Sequence, residues 1–333
     1  MNHDQLRAAR WTVERAEDYM KALGVIKGTN FVPSYCYGYI EIWHHYDEPV
    51  ILRELKWAKE IGLNSLRIFV NTAQWQTHRD LVYQNLERFL DTCKVMGFSI
   101  MLSLAAGTCM QPGYTQQYAD PFILRPNMGK HDAGWKYEGV GGKDTWLQCR
   151  EVIHEFVRDI VTRYAQDDRV AIWDLYNEAP AERVSLVHEI FSIARAINPK
   201  QPLTACWQAL DISDVVTFHC YMEPNSTRET YPAGTLTFEA EVEQALSMGR
   251  PTLCTECLGR TFGNELASFL PIFEKEKIGF YVWGLCEGSA QYRFPWGWPA
   301  GSPEPKRWFH CLLYPDGTAY DESEIDCFKA FQY

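Results

Sequence analysis

The chain is poor in positive charge. Against 43 Asp and Glu stand 32 Lys and Arg, a formal net charge of −11 over 333 residues. That balance excludes the basic footprint of a nucleic-acid or anionic-membrane binder. There is no run of the ~18 apolar residues that a membrane-spanning helix needs. The start of the chain, MNHDQLRAARWTVERAEDYMKALG, lacks the apolar stretch and small-residue cleavage pattern of a secretory signal. A cytoplasmic protein is expected, or one exported with a signal peptide absent from this sequence. No glycine-rich phosphate loop, dinucleotide fingerprint or Gly-x-Ser-x-Gly elbow occurs, so no cofactor is implied and serine-hydrolase chemistry is not indicated. Linkers rich in Pro, Gly or Ser are also missing. A composition of 46% hydrophobic and 23% charged residues rules out disorder, collagen and coiled coil. One domain covering 1–333 is the expected organisation.

Metal sites find little support. Cys254-Thr-Glu-Cys257 has metal-ligand spacing, but a zinc site needs a second such pair, and none occurs. His44-His45 and His131 bring to mind metal-dependent barrel hydrolases. Those usually carry a His-x-His on strand one, and the first strand candidate has no His. The 11 Cys are odd in number and lie mostly in apolar segments, as expected of buried free thiols.

What the chain has in excess is aromatic residues: 12 Trp, 18 Tyr and 17 Phe, 14% of the total. Their placement follows from the pattern of elements. Eight short apolar runs, at 28–33, 65–70, 98–104, 170–176, 202–206, 215–220, 251–255 and 279–285, read as strands covered on both faces. Between them, 49–61, 81–95, 146–164, 183–197, 238–248 and 264–276 show apolar spacings of three and four, as amphipathic helices do. A further helix is expected at 6–23, closing the barrel bottom, and a last one at 321–331. Eight strand–helix repeats predict an α/β fold, a (β/α)8 TIM barrel. Helix-to-strand connections are short and strand-to-helix connections long. The long ones, 34–48, 105–145 and 287–307, hold Tyr35, Tyr37, Trp43, Trp135, Trp296 and Trp298. Loops after barrel strands build active sites, so a deep cleft lined by aromatics is expected.

Chemistry gathers at the strand ends. The fourth run, WDLYNEAP, leads to Asn177 and Glu178; the seventh, PTLCTE, ends on Glu256; the sixth, FHCY, brings His219 and Tyr221. Arg67 lies on the second and Trp283 on the eighth, with Trp207 just beyond the fifth. Strands four and seven face each other across a barrel mouth, so two carboxylates can flank one bond. Glycoside cleavage uses such a pair, about 5–5.5 Å apart when configuration is retained.

This ordered set, from about residue 28 to 285, resembles the clan A retaining glycoside hydrolases, especially the cellulase-like glycoside hydrolase family 5. The match departs slightly at Ala179, which stands between Glu178 and Pro180. The resemblance implies Glu178 as general acid and then base, with its pKa raised, and Glu256 as nucleophile. It also implies that Arg67 and Tyr221 hold Glu256 ionised, and that Asn177 bonds the sugar 2-hydroxyl. His219 joins that network. Trp283 is the expected apolar floor and Trp207 a further sugar contact. The implied partner is a β-linked carbohydrate. Sugar identity and oligomeric state are not implied. A transglycosidase using the same glutamates, and a non-catalytic sugar-binding barrel, are the alternatives.

Overall fold

The computed structural model describes residues 1–39, 41–105, 147, 149–226, 236–299 and 301–333. Eight parallel strands follow one another: β1 (Lys27–Asn30), β2 (Ser65–Asn71), β3 (Ser99–Ala105), β4 (Val170–Asp174), β5 (Leu203–Thr204), β6 (Val216–His219), β7 (Thr252–Cys257) and β8 (Gly279–Trp283). Their spatial order, β5-β4-β3-β2-β1-β8-β7-β6, is that of a nearly closed barrel. The described helices are α1 (His3–Ala8), α2 (Val13–Leu23), α3 (Glu48–Glu60), α4 (Thr72–Val95), α5 (Arg150–Tyr164), α6 (Val184–Ile197), α7 (Phe238–Leu246), α8 (Leu266–Glu276) and α9 (Glu322–Ala330). The expected (β/α)8 architecture is therefore present.

The seam of the barrel lies between β5 and β6, which form no strand ladder. It is held by the amide of Asp214, donating to the Leu203 carbonyl at 2.8 Å, and by the hydroxyls of Thr204 and Thr217, 2.9 Å apart.

Apolar residues sort into two layers. Outward residues such as Leu66, Ile100, Trp173, Phe218 and Phe280 pack against the helices. Ile26, Met101, Ile172, Val215, Leu253 and Tyr281 form a separate inner cluster, against which Met20 and Leu23 of α2 pack. So α2 plugs the bottom, as expected. The Tyr281 ring crosses the interior so closely that a Cβ on Gly28 would lie 2.2 Å from it, which only glycine permits there. The Tyr281 hydroxyl is 2.8 Å from that of Ser65.

Two expectations need correction. The helix read across 6–23 is two helices: Thr12 leaves the helical region and its side chain accepts from the Arg15 amide, starting α2 afresh. The thiols are not all free. Nine described cysteines are, but Cys149 is disulfide-bonded. The loop aromatics divide as well. Trp43 is buried and donates to the Phe69 carbonyl, and Trp75, which stands on α4 and not in a loop, is buried and donates to Asp159, so both pack the rim. Trp207 and Trp296 are exposed. Trp135, His131 and most of the loop after β3 fall outside the described residues. No helix among those described is long and apolar enough to cross a membrane.

Candidate active site

The centre of the site is Arg67. Alternation along β2 turns it into the barrel, where it is completely buried. A buried guanidinium is tolerated only when its donors and its charge are satisfied. Five residues do this. Nε and Nη2 donate to Asp174 Oδ2 at 2.9 and 2.6 Å, Nη1 to Asn30 Oδ1 and Glu256 Oε1 at 2.7 and 2.8 Å, and Nη2 to Asn177 Oδ1 and Ser103 Oγ at 2.6 and 3.3 Å. The acceptors come from β1, β3, β4, the β4 loop and β7, so one cation ties together half the barrel mouth.

Glu256 reaches this centre through an irregularity. Leu253 belongs to the inner cluster, and Cys254 and Cys257 to the outer one. Strict alternation from Leu253 would turn Glu256 outward. The register shifts between β6 and β7 and between β7 and β8 at this point, and a bulge of that kind re-aims a side chain. Tyr221 then donates from its hydroxyl to Glu256 Oε2 at 2.9 Å. Burial and the neighbouring Glu256 charge push the Tyr221 pKa well up, so it remains a donor.

Glu178 follows Asn177 beyond β4 with φ of 50°, a conformation uncommon for residues other than glycine and often found at functional sites. His219 Nδ1 lies 2.7 Å from Glu178 Oε1 and 3.4 Å from Glu256 Oε2. One ligand-type atom each from Glu178, His219 and Glu256 falls within 4.8 Å of the others. The expected raised pKa of Glu178 is not found. Burial pushes it up, but the hydrogen bond and charge of His219, and then the charge of Arg67, hold it below the ordinary carboxylate range. Burial raises Glu256, against the pull of His219 and Arg67. His219 itself would be lowered by burial, yet Cys206, Glu256 and Glu178 bring it well above its usual value.

The rim around these groups is aromatic. Trp207, 41% exposed with φ of 57°, has its ring 6.2 Å from that of His219. Trp296 stands edge-on to Tyr221 at 4.8 Å. Trp283 lies beside Phe69 at 5.9 Å and Tyr292 at 5.8 Å, and its Nε1–H has no partner among the described residues. All eight residues singled out from the sequence thus converge on one end of the barrel. Asp174, Asn30, Ser103 and Cys206 were missed. Asp174 left a trace, a carboxylate inside the apolar run VAIWDLY, which a buried strand carries only with a partner.

No family model matches this chain, and no curated protein does. Solved structures do. An exo-β-1,4-mannosidase from Opitutaceae bacterium strain TAV5 superposes with a TM-score of 0.60 at 15% identity, over 93% of this chain and 60% of that one. This chain therefore spans less than two thirds of that enzyme. GH5_18 from Streptomyces cattleya, in complex with GlcNAc, gives 0.61 at 14% identity over 91% of this chain and 79% of its own. A mutant family 5 mannosidase from Rhizomucor miehei, in complex with mannosyl-fructose, gives 0.57 at 13% identity over 92% of both chains. The barrel is thus of the form these glycoside hydrolases share.

Proposed function

We propose that this chain is a retaining β-glycoside hydrolase acting on β-linked oligosaccharides or glycoconjugates by double displacement. The observation that carries the reading is the approach of Glu178 and Glu256 to within 4.8 Å, counted between one oxygen of each. An inverting pair stands about 6.5–9.5 Å apart to admit a water, whereas a retaining pair stands at about 5–5.5 Å. Glu256 attacks the anomeric carbon while Glu178 protonates the departing oxygen, leaving a glycosyl ester on Glu256. Glu178 then takes a proton from water, which attacks the same carbon and releases Glu256. Arg67 and Tyr221 hold the Glu256 oxygens in place for attack. Asn177, fixed by Arg67, meets the sugar 2-hydroxyl.

The low pKa of Glu178 fits this cycle once His219 is included. Three groups this close titrate together. In the free site His219 holds the single proton between two carboxylates. Its transfer across the 2.7 Å contact to Glu178 yields the acid, with no net uptake of protons. The alkaline limb of kcat/KM then reports loss of that proton. Because His219 is raised, the proton is retained above the ordinary histidine range and is lost only as pH climbs through the raised value. In His219→Gln the proton has only Glu178 to sit on, so the alkaline limb moves to lower pH. A pH–rate profile checks this; an unchanged limb removes His219 from the proton path.

Aromatic stacking gives a second expectation. Trp207→Ala raises KM by about tenfold or more, the effect of losing one exposed ring from a sugar contact, with kcat little altered. Initial-rate kinetics measure it.

The reading as a whole is tested on a panel of aryl β-glycosides and defined oligosaccharides, starting with β-mannosides because two of the structural neighbours are mannosidases. A proton NMR time course should show the β-anomer as first product. An α-anomer, or no cleavage across the sugars, overturns it. Product analysis separates hydrolysis from transfer to a second sugar.

A further inference from the structure

At the end of the barrel away from Glu178 and Glu256, the described residues line a half-open cavity of about 280 Å³, just under the usual range for small-molecule sites. Arg10, Arg15 and Arg195 line it together with Trp11, Gln201 and Leu203, and no carboxylate does. In a chain of net charge −11 this is a local reversal of sign.

Arg195 is the most constrained of the three, its side chain 7% exposed. Nη1 donates to Asp214 Oδ2 at 2.7 Å and Nη2 to the Ile212 carbonyl at 3.1 Å. Its buried Nε–H has no partner among the described residues, and a buried donor left unmade is costly. Asp214 cannot serve more of the cations. Its Oδ1 accepts from the Trp11 amide at 2.7 Å, and its Oδ2 already accepts from the Leu203 amide at 2.9 Å as well as from Arg195. The Arg15 guanidinium lies 3.7 Å from the centre of the Trp11 ring. Arg250 approaches from behind, donating to the Trp11 carbonyl at 2.9 Å. Asp211, the other nearby acid, contacts His3, and its charge also acts on Arg10 without lining the space. Burial and the charge of Arg7 lower the Arg10 pKa, and burial and the charge of Arg10 lower that of Arg250. These cations are crowded with too few anions among them. The N-terminus of α2 at Thr12 opens on the same space and adds its partial positive charge.

We propose that this cavity is a binding site for a phosphate group, free or carried by a small molecule, held by Arg10, Arg15 and Arg195. Three arginines and no carboxylate form the lining itself, a sign that suits the charge of about −1.5 to −2 on a phosphate monoester at neutral pH. Guanidinium forks suit its oxygens. Occupancy clamps the start of α2 to the segment between α6 and β5, and so stabilises the fold without touching the sugar end. The site stands whether or not the barrel cleaves glycosides.

The test is thermal unfolding with inorganic phosphate and, separately, with a hexose monophosphate, each against chloride at matched ionic strength. A saturable rise of about 3 °C is expected near a hundredfold excess over Kd. Preference for the hexose phosphate identifies a carried group, and equal response a free one; both support the site. In Arg10→Gln/Arg15→Gln, neither residue being near Glu178 or Glu256, the rise should fall to under a third. Arg195→Lys keeps the charge opposite Asp214 but removes the planar guanidinium that lines the cavity, and should weaken binding by at least fivefold in calorimetry. No saturable rise over chloride, or an equal rise in the double variant, overturns the proposal.

Discussion

Glu256→Ala lowers turnover of an aryl β-glycoside by about 10⁴-fold or more, the scale on which a nucleophile's removal acts, and azide restores it with a defined stereochemistry. The small anion enters the space vacated on the α face of the sugar and attacks the anomeric carbon, so the expected product is the α-glycosyl azide. Glu178→Ala behaves differently. A good leaving group departs without acid assistance, so the ester on Glu256 forms and accumulates. Azide then attacks that ester from the β face and gives the β-glycosyl azide. Product configuration by NMR distinguishes the two residues. This matters because charge alone suggests the reverse assignment: in the free site His219 holds Glu178 low, while burial raises Glu256. If Glu178→Ala yields the α-azide and Glu256→Ala the β-azide, the roles assigned here are exchanged. If both variants retain full hydrolysis, the carboxylate pair is not the catalyst.

Arg67→Met is expected to cost about 3–5 kcal/mol of folding stability and to abolish activity. Removing one partner from a buried ionic cluster leaves the other charges uncompensated, which is worse than never having built the cluster. Here the charges left behind are Asp174 and Glu256, both nearly fully buried. Urea unfolding gives the stability change and initial rates give the activity. Arg67→Lys should not rescue either, since one ammonium with three donors cannot reach acceptors contributed by Asn30, Ser103, Asp174, Asn177 and Glu256. A Lys variant as stable and active as the parent would show that position 67 needs only charge. Arg67→Met with Asp174→Asn should recover part of the stability and none of the activity, because the carboxylate on Glu256 still lacks its cation.

The sequence carried the barrel because each strand is a continuous apolar run and each long connection falls on the same side. Strand ends were less legible. The fifth run was read as 202–206, but only Leu203–Thr204 pairs, since one side of it lies at the seam. The site was legible where chemistry coincided with a strand end, as at Glu178 and His219. Asn30 was not, and Asp174 showed only as a carboxylate in need of a partner, because the role of a polar residue inside an apolar strand is fixed only when that partner, Arg67, is located. Nor could alternation have turned Glu256 inward, because the bulge that does so leaves no residue pattern of its own. The aromatic excess misled by half. Trp43 and Trp75 supply the same composition as Trp207 and Trp296, and only burial separates packing from an exposed wall.

The seam between β5 and β6 has a consequence for the geometry of the mouth. Elsewhere the wall of the barrel is a continuous ladder, whereas here its two free ends are clasped by the Asp214 amide, a pair of threonine hydroxyls, and the Leu203 and Ala205 amides donating to the side chains of Asp214 and Ser213. Trp207 follows one end and His219 closes the other, each on its own lip of the slit, with their rings 6.2 Å apart. Any widening of the slit would therefore separate the Trp207 ring from the His219 imidazole. The line along which the cylinder is least completely joined therefore runs through the mouth of the candidate site.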